Sequence, residues 1–242
     1  MQNKILGIIP ARYAATRFPG KVLVDIQGKP MIQRVYEQTK KSQLLTDVII
    51  ATDDERVKKV AEGFGARVFM TDPEHPSGTD RCYEALRAYQ GTSRQVIDFV
   101  VNIQGDEPFI QPEQIDCLAA LLDDSELELA TLIHKIKDKS DLQNPNVVKV
   151  TASKGGKALY FSRSAIPFTR NQTSMDFYRH IGMYAYRADV LEKITQLPAS
   201  PLEQTEGLEQ LRWLENDFTI RVALTDLMSR GIDTPQDLEG LL

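Results

Sequence analysis

Cysteine is scarce in this chain of 242 residues: there are two, Cys82 and Cys117, far apart and without a CxxC spacing. That excludes a disulfide framework and the common structural zinc patterns, and the apolar helical settings of both predict buried, reduced thiols. Excess positive charge is missing too: 29 Lys and Arg against 34 Asp and Glu give a net charge of −5. A nucleic-acid or anionic-membrane binder normally relies on the opposite balance, so any anionic substrate needs a locally basic site. No apolar run approaches the length of a membrane-spanning helix. Met1-Gln2-Asn3-Lys4 leads at once into a short apolar run, so no signal peptide is expected and a cytoplasmic location is. Repeats, linkers and low-complexity tracts are absent as well.

What remains is an ordinary globular composition, 42% hydrophobic and 26% charged, long enough for a full core. Ile5–Ile9, Val48–Ala51, Ala66–Met70 and Phe99–Ile103 read as buried strands. Helical stripes alternate with them: Met31, Ile32, Val35 and Thr39 after Pro30; then Val57, Val60, Ala61 and Phe64, capped by Asp53 or Asp54. The next are Cys82, Ala85, Leu86 and Tyr89, then Ile115, Leu118, Ala119 and Leu122 after Pro112. This alternation predicts an α/β fold, a three-layer doubly wound domain with a mostly parallel sheet. Val147–Val150, Ala158–Phe161 and Ile181–Tyr186 read as strands with few helices between them, so residues 144–187 form a smaller mixed or antiparallel extension of one domain spanning 1–242. Helices near 188–196 and 203–215, a strand near 218–224 and a short helix from Pro235 complete the expectation.

Ligands of such sheets bind at the carboxyl ends of the strands. Past the first strand, Pro10-Ala11-Arg12-Tyr13-Ala14-Ala15-Thr16-Arg17-Phe18-Pro19-Gly20-Lys21 gathers three cations with small residues, where backbone amides can approach phosphate. The glycine spacing fits neither a Walker loop nor a GxGxxG fingerprint, which argues against a P-loop kinase and an NAD dehydrogenase. Any one of these cations also fits a solvated surface position. Past a central strand, Gln104-Gly105-Asp106-Glu107-Pro108 sets a carboxylate in a tight turn, suited to Mg²⁺ or simply to capping its own backbone. Gly231-Ile232-Asp233-Thr234-Pro235 offers a second carboxylate, which equally fits a helix N-cap.

These segments resemble the CMP-Kdo synthetases, the cytidylyltransferases that activate 3-deoxy-manno-octulosonate (Kdo). The first matches PARYxSTRxPGK, with Ala15 in place of the common Ser, and the acidic segments match QGDEP and G[IV]DTPED, with Gln236 where Glu is frequent. Further matches are Ser77–Arg81 to SGT[ED]R, Tyr160–Pro167 to YFSRxxIP, Arg179–Tyr186 to RHxGxYxY and Pro201–Arg212 to SPLExxExLEQLR. They run in family order from residue 8 to 239. The resemblance implies a nucleotidyltransferase-like fold, transfer of CMP from CTP to the anomeric hydroxyl of Kdo, release of pyrophosphate and a place in lipopolysaccharide synthesis. It implies CTP contacts from Pro10, Ala11, Arg12, Lys21, Ser77, Arg81 and Gln104, and catalytic roles for Arg12, Lys21, Asp106 and Asp233, the two aspartates holding Mg²⁺. Kdo contacts would come from Arg17, Gln104, Arg163, His180, Tyr184, Glu209 and Gln210, and the assembly would be a homodimer. On residues alone His180 fits a structural histidine and Glu209 and Gln210 a solvated helix surface. Two rivals remain: a cytidylyltransferase for 8-amino-Kdo or another 2-keto sugar acid, and a non-catalytic nucleotide-binding protein. Neither nucleic acid nor membrane insertion is expected.

Overall fold

The structure, a computed structural model, describes residues 3–14, 18–124, 126–171, 174–228 and 231–239. Strand β1 (Ile5–Pro10) lies at the centre, flanked in parallel by β4 (Asp47–Thr52) and β6 (Phe99–Asn102), and β5 (Arg67–Met70) extends the sheet beyond β4. A small hairpin, β2 (Asp25–Ile26) with β3 (Lys29–Pro30), precedes helix α1 (Met31–Thr39). Helices α1, α2 (Glu55–Gly63), α3 (Gly78–Ser93) and α4 (Pro112–Ala119) make the crossovers, and of the two candidate caps of α2 it is Asp54 that accepts the Arg56 N–H. The expected run of β/α units is therefore present.

Alternation along the strands separates two apolar layers. Ile5, Ile9, Val48, Ile50 and Val101 face α1, α2 and α4, whereas Leu6, Ile8, Ile49, Ala51 and Val100 face α3 and the later helices. With both faces of β1 covered, its residues Leu6, Ile8 and Ile9 are wholly buried, which is why its sequence shows no polar alternation.

The other half of the sheet holds a strand that the apolar pattern did not announce. Strand β7 (Leu129–Lys135) pairs in parallel with β11 (Ile220–Leu224) and antiparallel with β10 (Tyr178–Arg187), giving the order β11-β7-β10-β6-β1-β4-β5. Within that order of seven strands β10 runs against the others, so the main sheet is mostly parallel as expected. Short β8 (Lys149–Ala152) and β9 (Ala158–Ser162) pair antiparallel with each other, and β8 joins the start of β10. The stretch 144–187 is thus divided: β8, β9 and Tyr178–Arg179 build the antiparallel extension, while Tyr184–Arg187 lies against β6 inside the main sheet. A register shift between Ile181 and Tyr184 marks the transition.

After short α5 (Lys139–Gln143), α6 (Ala188–Thr195) packs on the α3 face. The single helix expected over 203–215 is two, α7 (Pro201–Glu206) and α8 (Gln210–Glu215). Gly207, at φ 61°, ends α7 in the left-handed conformation, and Leu208 N–H reaches back to Glu203 O. That break turns Glu209 and Gln210 toward the sheet instead of leaving them on a helix surface. Among the described residues no helix is long and apolar enough to cross a membrane.

Candidate active site

Three loops meet at the carboxyl ends of β1 and β6. The loop after β1 is closed by Gly20, whose N–H donates to Tyr13 O at 2.8 Å and whose φ of 74° suits a residue without Cβ. This closure delivers Lys21 to the acidic turn. Lys21 Nζ donates to Asp106 Oδ2 at 2.6 Å, to Asp233 Oδ1 at 3.1 Å and to Ile232 O at 3.1 Å. The C-terminal segment is fixed by Ile232 N–H donating to Asp106 O at 2.9 Å. The two aspartates, remote in sequence, therefore aim at one point.

These loops enclose a cavity of about 370 Å³ lined by Pro10, Arg12, Phe18, Lys21, Val22, His75, Pro76, Ser77, Gly78, Arg81, Gln104, Gly105, Asp106 and Asp233. Most of the residues expected around CTP are there. Ala11 is not: it is buried, its N–H bonded to Ala51 O and its carbonyl to the Thr52 hydroxyl, so it anchors the loop. Arg17 lies outside the described residues. Ser77 caps α3 by accepting Thr79 and Asp80 N–H, and its hydroxyl donates to Asp80 at 2.6 Å. Arg81 is buried, with its guanidinium on Asp53 at 2.9 Å and on the Thr71 hydroxyl. Both hold the cavity wall in shape; Arg12, by contrast, is exposed at the rim. Sequence reasoning missed His75, whose Nε2 lies 2.5 Å from Glu84 Oε2; its position just ahead of the Ser77 cap was the available signal.

Beside the cavity stands a second polar group of residues. Gln104 connects the two by donating to Gly182 O at 3.0 Å on β10. Tyr184 stacks on Tyr186 and meets the edge of Trp213, with ring centroids 5.9 and 5.0 Å apart. Glu209 accepts from the Thr79 hydroxyl at 2.8 Å and from Arg212 at 2.9 Å, and burial raises its carboxyl above the usual range. Among the described residues the Tyr184 hydroxyl and Gln210 Nε2 are buried without a hydrogen-bond partner. An unsatisfied buried polar atom costs about 1–3 kcal/mol, so a bound hydroxylated molecule would repay this arrangement.

His180 sits between Phe161 and Tyr184, at centroid distances of 5.1 and 5.3 Å, and does not line the cavity. The single hydroxyl proton of Thr131 goes to a carbonyl, Met183 O at 2.8 Å, so His180 Nε2–H is the donor in its 3.0 Å contact with Thr131 Oγ1. Burial lowers the His180 pKa from the ordinary 6.5 to about 3. The folded chain then keeps His180 neutral while the unfolded chain protonates it near 6.5, so stability is lost as pH falls from there toward 3. Denaturant melts at pH 7 and pH 5 should show a loss of about 1–2 kcal/mol that His180→Asn removes. Equal pH dependence of the two proteins would contradict this placement.

Arg163 is engaged elsewhere than the cavity. Its guanidinium donates to Glu206 O at 2.7 Å, Pro145 O at 3.0 Å and Gly207 O at 3.3 Å, tying the end of β9 to the α7–α8 break. The wholly buried Lys149 supports the same corner, donating to Asn144 O, Val147 O and Arg163 O. Cys82 is buried and Cys117 half-buried, a departure from the expectation that both are buried; burial raises both thiols, which leaves them poor nucleophiles.

A mostly parallel sheet whose strand ends bring Arg12, Lys21 and two convergent carboxylates around one cavity suits an enzyme that works on a nucleotide's phosphates. The chain belongs to the cytidylyltransferase family, whose model matches residues 6–220. It is 53% identical over 241 residues to a 3-deoxy-manno-octulosonate cytidylyltransferase of Cytophaga hutchinsonii, covering 97% of this chain and 94% of the relative. A protein of the same name from Parabacteroides distasonis is 52% identical, over 99% of this chain and 97% of its own. Among solved structures, a CMP:2-keto-3-deoxy-manno-octonic acid synthetase complexed with CTP superposes with a TM-score of 0.91 at 42% identity, covering 98% of this chain and 96% of that one.

Proposed function

We propose that this chain transfers CMP from CTP to the anomeric hydroxyl of Kdo, giving CMP-Kdo, the activated sugar for lipopolysaccharide synthesis, and pyrophosphate. The observation that carries this reading is the convergence of Asp106 and Asp233 on one cation position, 2.6 and 3.1 Å from Lys21 Nζ, beside a buried polar group with unused hydroxyl and amide atoms. The relatives' names supply the acceptor.

Transfer at phosphorus needs alignment and charge neutralisation more than covalent chemistry. Arg12 and Lys21 both line the cavity and would flank a triphosphate bound there. In the transition state they would hold the charge that develops on the departing pyrophosphate. Asp106 and Asp233 would hold Mg²⁺: two hard carboxylates with room for water and phosphate oxygens match its preference for an incomplete protein shell. Bound there, magnesium would supply charge neutralisation at the α-phosphate and acidify the acceptor hydroxyl. Gln104, Tyr184, Glu209 and Gln210 would orient the sugar through its hydroxyls. Arg163 and His180 would act behind them, shaping this wall through the α7–α8 break and the Thr131 contact.

A homodimer in the cytoplasm completes the reading. Phe168, 86% exposed, and Met175, 50% exposed, offer apolar surface on the segment after β9 that a second copy would cover.

The test is product formation: CTP, Kdo and Mg²⁺ incubated with the protein should convert the triphosphate phosphorus signals to a phosphodiester and pyrophosphate. Chelation with EDTA should stop this, and Mg²⁺ should restore it. Turnover that persists through chelation would remove the metal assignment, and absence of a phosphodiester would remove the function.

A further inference from the structure

We propose that His75 reads the base: its imidazole, held by Glu84, accepts a hydrogen bond from the exocyclic amine of cytosine and so selects CTP over UTP. This deepens the reading above and rests on it. The cavity lining divides by chemistry. Arg12, Lys21, Asp106 and Asp233 suit phosphates and a cation, which leaves the segment that starts at His75 as the wall for the nucleoside. On that wall the other polar side chains are spent. Ser77 is occupied with the first turn of α3, and Arg81 with Asp53 and Thr71.

His75 differs from them. Its Nε2 is 2.5 Å from Glu84 Oε2, and the same carboxylate oxygen accepts Asp72 N–H at 2.8 Å, which fixes the carboxylate from the backbone. A carboxylate only accepts, so whenever the imidazole is neutral its proton sits on Nε2 and Nδ1 is left as an acceptor. No described residue bonds that Nδ1. Cytosine carries an amino donor at C4, where uracil carries a carbonyl oxygen. An Nδ1 lone pair would therefore pair with one base and face the lone pairs of the other. Glu84, on the second turn of α3, is a positioning residue that sets the tautomer and with it the preference.

Calorimetric binding of CTP and of UTP, each without acceptor sugar, to the wild type, His75→Ala and Glu84→Gln tests this. The wild type should prefer CTP by about tenfold or more, the scale for a site built around a specific hydrogen bond. His75→Ala should bring the ratio close to one by weakening CTP. Glu84→Gln, whose amide can donate to Nε2 and move the ring proton to Nδ1, should narrow the ratio by strengthening UTP. If His75→Ala does not fold, Glu84→Gln carries the test alone, because a merely structural role would weaken both nucleotides together. Equal binding of CTP and UTP by the wild type, or variants that keep its ratio, would overturn the proposal while leaving the transfer chemistry standing. Binding of neither nucleotide would overturn the functional reading and this inference with it.

Discussion

Asp106→Asn should lower kcat by about 10³-fold, the scale for removing a group that stabilises transition-state charge, while the melting temperature stays near that of the wild type. The asymmetry follows from where Asp106 sits. Its carbonyl, which accepts Ile232 N–H at 2.9 Å, is backbone and survives the substitution, so the C-terminal segment remains docked. Asn also keeps one oxygen for Lys21, and the Asp106 side chain is 28% exposed, so the lost ion pair is partly screened by water and worth little to folding. What disappears is one of two negative charges aimed at a single cation position. Kinetics and a thermal melt on the same preparation separate the two effects. Activity like that of the wild type would sink the metal assignment, and a collapsed melting temperature would recast Asp106 as structural.

Gly105→Ala should damage both stability and catalysis. A Cβ at this position would lie 2.7 Å from Pro10 O, a backbone atom at the end of β1. Neither partner can give way cheaply: Ala11 N–H is bonded to Ala51 O at 2.8 Å, and Ile103 N–H to Ile8 O at 2.9 Å. Overpacking of this kind costs about 2 kcal/mol, which in a domain of this size lowers the melting temperature by about 4–8 °C. The same displacement would move the Pro10–Lys21 loop away from Asp106, and a shift near 1 Å at a reacting centre costs about 10²-fold in rate. Gly91→Ala is the control, because nothing lies within 4 Å of its added Cβ and its place inside α3 favours alanine. Equal behaviour of the two variants would show that the close approach of the loops is not what sets the site.

The β/α half of the fold was legible in the sequence because its strands are buried on both faces and its helices carry apolar stripes. Strand β7 escaped notice. Its segment Leu129–Lys135 follows acidic Glu126 and Glu128 and includes Thr131 and His134, both buried, so local polarity masked a central strand. Thr131 is tolerated there because the register shift in β10 offers it the carbonyls of Ile181 and Met183. The basic and acidic residues of the cavity lining were legible as well, since charged loops at strand ends are local patterns. Glu209 and Gln210 were not legible from periodicity alone: the break at Gly207, and not a helix face, turns them inward. His75 and Glu84 form a pair only once α3 starts at Gly78, a relation that no short motif states.

The most direct measurement is pyrophosphate release from CTP and Mg²⁺, run separately with Kdo, 8-amino-Kdo, N-acetylneuraminate and no acceptor. Release that depends on Kdo, with little from the other acids and none without acceptor, is the predicted result. Preference for another acid would keep the chemistry and change the substrate. Silence with every acceptor, despite measurable CTP binding, would contradict the account and leave a nucleotide-binding protein without turnover.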